Sequence, residues 1–231
     1  MGRRFTGASS DRIFVGTTAA AAGLTFTFGT MAVCLYRESG GSTMSYLSTN
    51  QAAGACAVLT TLSTADELEW YDGTNGRTGA TSIATSGHVL LVATKATGTA
   101  TPRFHYYEFA TNTWVHEDAS GTAVNGGSLS SLTIGSGGNS ASFNAVDAEI
   151  HALGMWQGLA MSDGECERLA RGSWLNYAPS FYEQGTPGHE SGDMVRTLGR
   201  YPARQTAITG TTRGNRGAPP GFRMGVQHRR R

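Results

Sequence analysis

Glu67 and Glu69 lie two residues apart in the segment Glu67-Leu68-Glu69-Trp70-Tyr71-Asp72. On an extended chain, alternate side chains share one face. That spacing brings two carboxyls near the roughly 5–5.5 Å separation used by a retaining glycoside hydrolysis. A solvated strand face accounts for the same pair without any chemistry. The six histidines (His88, His105, His116, His151, His189 and His228) contain no helical His-x-x-x-His spacing. His105 and His116 fall on opposite arms of one expected hairpin and would face each other. Two imidazoles are fewer ligands than zinc takes, so cross-strand packing is expected and neither metal nor cofactor is assigned. Asp72 and Asp118 sit in expected loops, without the oxygen cluster of a calcium loop. The glycine run GSGGNS at 135–140 lacks the Gly-Lys-Ser/Thr that completes a phosphate loop. Trp70, Tyr71, Tyr106, Tyr107 and Trp114 offer either a platform for stacking sugar rings or ordinary strand packing.

No catalytic residue is assigned from these patterns. Cys34, Cys56 and Cys166 are odd in number and lack redox or zinc spacing. They read as small buried thiols made in a reducing compartment. MGRRF lacks a signal-peptide core, and its match to a myristoylation pattern coincides with the first expected strand. No apolar run approaches the ~20 residues of a membrane span.

Charge divides the chain. The net charge is +1, yet residues 194–231 hold nine arginines and no acid. The remaining residues carry nine basic groups against all 17 acids, a balance of −8. An acidic body (residues 1–184) therefore precedes a basic, Gly- and Pro-rich arm (residues 185–231). The arm has too little apolar surface to offset its own ordering entropy. Arg196, Arg200, Tyr201, Arg204, Arg213, Arg216, Phe222 and Arg223 are its candidate partner-binding residues. These arginines are dispersed along an extended segment and not along a helix face. That favours an acidic protein surface over nucleic acid.

The body reads as many short strands. Arg3–Thr6 and Arg12–Val15 are expected across a Gly7–Asp11 turn. A long strand over Leu24–Tyr36 follows, bent at Gly29. Thr43–Ser48, Cys56–Leu62 and Glu67–Tyr71 come next. The Asp-Gly and Asn-Gly pairs of Asp72–Gly79 signal a hairpin turn. Val89–Thr94, Phe104–Phe109, Thr113–Glu117 and Leu132–Ile134 complete the set before the last strand. There, period two places Ile150, Ala152, Gly154 and Trp156 on one face. His151, Leu153 and Met155 fall on the other. Ser162 and Glu165 make a capping box, Met161 and Cys166 a hydrophobic staple, and Gly172 a helix C-terminal glycine. Strands at this spacing with one short helix imply an all-β, two-sheet antiparallel jelly-roll sandwich. Charged residues are only 15% of the chain, against roughly 25% in an average domain, as small-residue turns would give.

The ending of that last strand, then Leu159-x-Met161-Ser162-Asp163-x-Glu165 and one helix, resembles the end of laminin-G-like domains. These belong to the concanavalin A-like lectin and glucanase superfamily. RRFTGASSDRIFVG at Arg3–Gly16, HVLLVATK at His88–Lys95 and RFHYYEFATNTWVHE at Arg103–Glu117 agree in order. The resemblance covers about Arg3 to Gly172 and speaks for fold more than function. Glycosidases of the superfamily carry Glu-x-Asp-x-(x)-Glu, whereas here Glu69 stands in the middle and Asp72 at the end. The resemblance, joined to an arginine-bearing arm, is to accessory proteins of tailed bacteriophages. It implies a non-enzymatic virion protein on the head or tail, assembled in a bacterial cytoplasm. Its partners would be capsid or tail subunits and copies of itself, with no membrane. Lectin-like binding of host surface glycans is the alternative, and glycoside hydrolysis the third.

Overall fold

The computed structural model describes residues 3–6, 13–14, 28–40, 43–49, 58–61, 65–71, 76–120, 132–135, 147–177, 179–185 and 194–198. These form fourteen strands, one α-helix and one 3-10 turn. The strands are β1 (Arg3–Thr6), β2 (Ile13–Phe14), β3 (Gly29–Arg37), β4 (Met44–Thr49), β5 (Val58–Thr61), β6 (Glu67–Tyr71) and β7 (Gly76–Ser82). They continue with β8 (Gly87–Lys95), β9 (Arg103–Glu108), β10 (Thr113–Asp118), β11 (Leu132–Ile134), β12 (Asp147–Gln157), β13 (Phe181–Gly185) and β14 (Met194–Leu198). Helix α1 spans Asp163–Ala170, and the 3-10 turn Trp174–Tyr177.

Two antiparallel sheets stack face to face, as the sequence implies. The larger runs β10-β9-β8-β3-β12-β13-β14, with β1 also on β12; the smaller runs β2-β11-β4-β5-β6-β7. Between them lie Met31, Val33, Leu35, Val89, Leu91, Phe104, Ile150 and Met155 from the large sheet. Tyr46, Leu47, Leu59, Leu68, Trp70 and Ile134 come from the small one. The large sheet is covered on its outer face too. Ala32, Leu90, Val92, Ala152 and Trp156 pack there against Met161, Cys166, Leu169 and Trp174. Two-sided burial explains why β3, β8 and β12 read as near-continuous apolar runs.

Four readings change in three dimensions. β1 and β2 do not form a hairpin: β1 pairs with β12 and β2 with β11, and the expected Gly7–Asp11 turn lies outside the described residues. In β12 the register shifts between Ile150 and Ala152. This bulge turns Ile150 inward with Leu153 and Met155, and leaves Ala152 and Trp156 outward. Strict alternation over the segment therefore put Ile150 on the wrong face. The bulge sits where β1, which borders residues 147–150, hands over to β13, which borders 152–155. The expected turn Asp72–Gly79 takes in the first four residues of β7. GRTGATS carries too little apolar character to announce a strand, but it forms the small sheet's edge. That edge is closed by the large sheet. Glu117 of β10 accepts from Ala80 N at 3.1 Å, Thr81 N at 3.2 Å and Thr81 Oγ1 at 2.9 Å. Such cover blunts an otherwise open strand edge. Finally, β13 and β14 continue the large sheet to Leu198, across the boundary expected at residue 184.

The start of β3 is fixed by a glycine. Gly29 has φ +138°, and any Cβ there would collide with the Trp156 carbonyl. Leu24–Thr27 of the expected strand lie outside the described residues. At the other end, Arg37 is fully buried between the sheets. Its Nη2 donates to Asp66 Oδ1 at 2.5 Å, and Nη1 to the Ala84 and Ile83 carbonyls at 2.7 and 3.4 Å. Ile83 N also donates to the Asp66 carbonyl at 3.0 Å. The large sheet thus grips both segments that flank β6 and β7. Removing one member of such a pair leaves a buried charge without its counterion. Asp66→Ala should therefore cost about 3–5 kcal/mol by chemical denaturation. A cost below about 1 kcal/mol would place this pair among solvent-screened ones.

Candidate functional site

Polar side chains converge on the outer face of the large sheet, where the β9–β10 hairpin meets α1. His105 and His116 are directly opposed across the hairpin. Their Nδ1 atoms are 2.8 Å apart. His105 is fully buried, and its Nε2 lies 3.2 Å from Thr94 Oγ1 on β8. Burial first, and the neighbouring His116 second, hold His105 down at about 4. His116 Nε2 makes no well-formed hydrogen bond; Glu167 Oε1 faces it at 3.4 Å.

Asp163 brings the helix into the cluster. Its Oδ1 lies 3.6 Å from His105 Nδ1. Arg103 grips it with both ends of the guanidinium: Nε to Oδ1 and Nη2 to Oδ2, each at 2.8 Å. The third arm, Nη1, donates to Asp118 Oδ1 at 2.9 Å. Hydrogen bonds from Arg103 hold Asp163 at about 2, far below an ordinary carboxyl, and the two acids raise Arg103 in return. Fork-shaped pairing of this kind fixes orientation as well as charge.

Local sequence signals place Asp163. The Glu165 carboxylate accepts from Ser162 N at 2.9 Å, the return bond of the expected capping box, and from Ser162 Oγ at 2.8 Å. At the far end Gly172, with φ +83°, donates to the Leu169 carbonyl at 3.0 Å. Ser173 N donates to that of Arg168 at 3.2 Å. These two bonds are the Schellman ending of a helix. Met161 and Cys166 both pack on the sheet, as the staple requires.

An aromatic row continues from the cluster along the hairpin. Trp114 lies over His116 with centroids 5.3 Å apart and planes 8° apart. Tyr107 stacks on Trp114 at 4.7 Å, and Phe109 meets Tyr107 edge-on at 4.8 Å. Tyr107 and Trp114 are half-buried and Phe109 is exposed. Tyr107 Oη donates to Asn112 Oδ1 at 2.5 Å; Asn112 holds a left-handed φ of +55° in the turn.

The aromatic residues considered from sequence thus separate. Tyr107 and Trp114 share this outer face, whereas Tyr106 and Trp70 point into the core. Trp70 lies under the chain's single lysine, with Lys95 Nζ 5.7 Å from its ring. Tyr71, Glu67 and Glu69 lie half-buried on the outer face of the small sheet. Burial raises the Glu69 carboxyl to about 7. His88 and His151 stack at 5.1 Å elsewhere on the large sheet. Cys34 and Cys166 carry free thiols, raised by burial, Cys34 to about 12. Of the arm residues, Arg196 falls on β14, opposite Glu183 in register. Arg200, Tyr201, Arg204, Arg213, Arg216, Phe222 and Arg223 lie outside the described residues, as do Cys56, Asp72, His189 and His228. Sequence reasoning paired His105 with His116 but missed Asp163, Arg103 and Glu167. The helix start was legible, but its docking beside the hairpin was not.

No protein-family model and no curated protein matches the sequence. Solved structures do resemble the fold. They include the enzymatically active domain of bacteriophage CBA120 tailspike protein 2, at TM-score 0.52 and 16% identity over 76% of this chain and 27% of that one. The CBM40 domain of Ruminococcus gnavus IT-sialidase has TM-score 0.50 and 12% identity over 73% of this chain and 95% of that one. The NanB sialidase of Streptococcus pneumoniae has TM-score 0.50 and 10% identity over 73% and 27%. This chain therefore spans about a quarter of the tailspike and NanB chains. At such identities the likeness is one of fold, and the fold is an antiparallel jelly-roll β-sandwich.

The Glu69 carboxyl has a consequence for stability. Its folded pKa of about 7 lies above the ordinary 4.5. Between those values the folded chain keeps a proton that the unfolded chain has lost, so stability falls as pH rises through that window. Glu69→Gln should remove this loss. Relative to the wild type, it should gain about 1 kcal/mol near pH 8 after allowance for solvent screening, and nothing near pH 4. Denaturation midpoints at the two pH values measure the difference. Equal midpoints for the two proteins at pH 8 would mean that Glu69 ionises freely.

Proposed function

We propose that the chain is a non-enzymatic binding component of a bacteriophage particle. Its sandwich presents the β9–β10 face to host surface glycans, and its basic arm joins it to other virion subunits. The observation that carries the glycan reading is the row Phe109–Tyr107–Trp114–His116. Aromatic faces at a partly exposed, strand-borne position suit the apolar faces of sugar rings. Arg103, Asp118 and Asn112 border that row with polar groups that suit hydroxyls. A rigid hairpin adds little ordering cost on binding.

The neighbouring folds favour the same reading without establishing it. One of them is a phage tailspike domain and another is a CBM40 domain. The laminin-G-like resemblance of Arg3 to Gly172 adds the accessory-protein context. The arm supplies the attachment: nine arginines without an acid in residues 194–231 call for a surface of carboxylates or carbonyls. Attachment of that kind weakens at high salt. A catalytic role for Glu67 and Glu69 is disfavoured by the departure from the Glu-x-Asp-x-(x)-Glu pattern, with Glu69 in the middle and Asp72 at the end.

Two measurements test this. On a glycan array, the wild type should bind a defined set of surface glycans. Trp114→Ala should lose about 1–2 kcal/mol of that binding, roughly five- to thirtyfold in affinity, with unchanged far-UV circular dichroism. An array without signal, or equal binding by the variant, would remove the row from function. A chain ended after Leu198 retains β14 and should fold, but fail to occupy particles lacking the protein. Full occupancy would transfer attachment from the arm to the sandwich.

A further inference from the structure

The two imidazoles of the cluster meet through atoms of the same kind. Thr94 Oγ1 lies 3.4 Å from the Arg103 carbonyl and 3.2 Å from His105 Nε2. With Nε2 turned to Thr94, His105 presents Nδ1 to the cluster. His116 Nε2 faces the Glu167 carboxylate, which in its ionised form can only accept. His116 likewise presents its Nδ1 to the cluster. The two Nδ1 atoms then face each other across 2.8 Å. Either one shared proton or a metal ion can join two such nitrogens, and the third group nearby favours the ion.

The surroundings specify which kind. One ligand atom each from His105, His116 and Asp163 fits within a sphere of contact where all lie within 4.8 Å of one another. Every one of the three has an outer partner that orients it: Thr94 for His105, Glu167 for His116 and Arg103 for Asp163. That is the arrangement by which outer groups orient metal ligands. The charges that meet here are three carboxylates (Asp118, Asp163, Glu167) and one guanidinium (Arg103), a balance that a dication neutralises. Asp163 is 44% exposed on its side chain, which leaves a coordination position open to water.

We propose that His105 Nδ1, His116 Nδ1 and an Asp163 carboxylate oxygen bind a divalent first-row transition-metal ion at the junction of the β9–β10 hairpin and α1. Two imidazoles and one carboxylate suit zinc and its neighbours. Calcium, which takes roughly 6–8 oxygens, finds too few here. Zinc held at about 2.0–2.1 Å by each nitrogen in tetrahedral geometry needs them about 3.3 Å apart. The pair must open by about half an ångström, which small side-chain rotations supply. The ion would fasten the helix to the hairpin. This proposal is independent of the carbohydrate reading.

The test uses the full-length protein, stripped with a chelator and titrated with Zn2+ in a calorimeter. One ion should bind per chain and raise the thermal midpoint. His116→Ala and Asp163→Asn should each lose about tenfold or more in affinity while keeping the metal-free circular dichroism spectrum. Long-range 1H–15N spectra of the wild type should show Zn2+ shifting the Nδ1 signals of both His105 and His116. If His116→Ala does not fold, Asp163→Asn and these spectra decide. Absence of saturable binding, or affinity unchanged in the folded variants, would overturn the proposal. So would spectra in which the two nitrogens share one proton and ignore Zn2+. No readout involves sugar, so a failure here and a failure on the glycan array are separate results.

Discussion

The packing of α1 on the outer face of the large sheet is the contact on which the polar cluster depends. An eight-residue helix is too short to persist alone. It holds here because Cys166 and Leu169 are buried against a face formed by Leu90, Val92 and Trp156. The capping box and the Schellman ending fix where the helix starts and stops, but burial fixes where it lies. Asp163 and Glu167 are four residues apart, so they project from one side of the helix. That side faces the hairpin, and both acids meet the histidine pair there. Loss of the apolar contact would scatter these groups even if every polar residue remained.

The sandwich interior shows a second kind of organisation. Arg37 and Lys95, the chain's single lysine, are both fully buried. Arg37 is compensated by Asp66 and two carbonyls, and Lys95 lies beside the Trp70 ring. A buried ion pair adds less to stability than its Coulomb term suggests, because desolvation offsets much of it. What it does supply is register. Only one alignment of β3 brings Arg37 level with Asp66 and with the carbonyls of Ile83 and Ala84. The bulge in β12 acts in the same sense, since it lets one strand serve β1 at one end and β13 at the other.

The outer faces of the two sheets differ in chemistry. On the small sheet, Glu69 lies on the same strand face as Glu67, but burial favours its neutral form. On the large sheet, Arg103 gathers Asp118 and Asp163 and keeps Asp163 ionised. An ionised Asp163, a buried His105 and an aromatic row thus lie together on one face. The faces were indistinguishable by composition alone, since each carries acids and aromatics.

Much of the sandwich follows from short-range signals. Alternation and β-branched or aromatic content give β6, β8, β9, β10 and β11 nearly to the residue, because each needs only its own neighbours to be read. Ser162, Glu165 and Gly172 likewise determine α1 from within ten residues. β7 escapes because an edge strand closed by Glu117 needs no apolar face of its own. β14 escapes because its strand is recruited by β13, and nothing in Met194–Leu198 states that partner. Ile150 was misassigned because a bulge is set by the competing demands of three neighbouring strands. The pairing of His105 with His116 was contained in the hairpin, since loop length fixes cross-strand partners. Asp163, 47 residues beyond His116, could join them only after the sheet and helix had packed, for no local rule relates a helix N-terminus to a hairpin it has yet to meet.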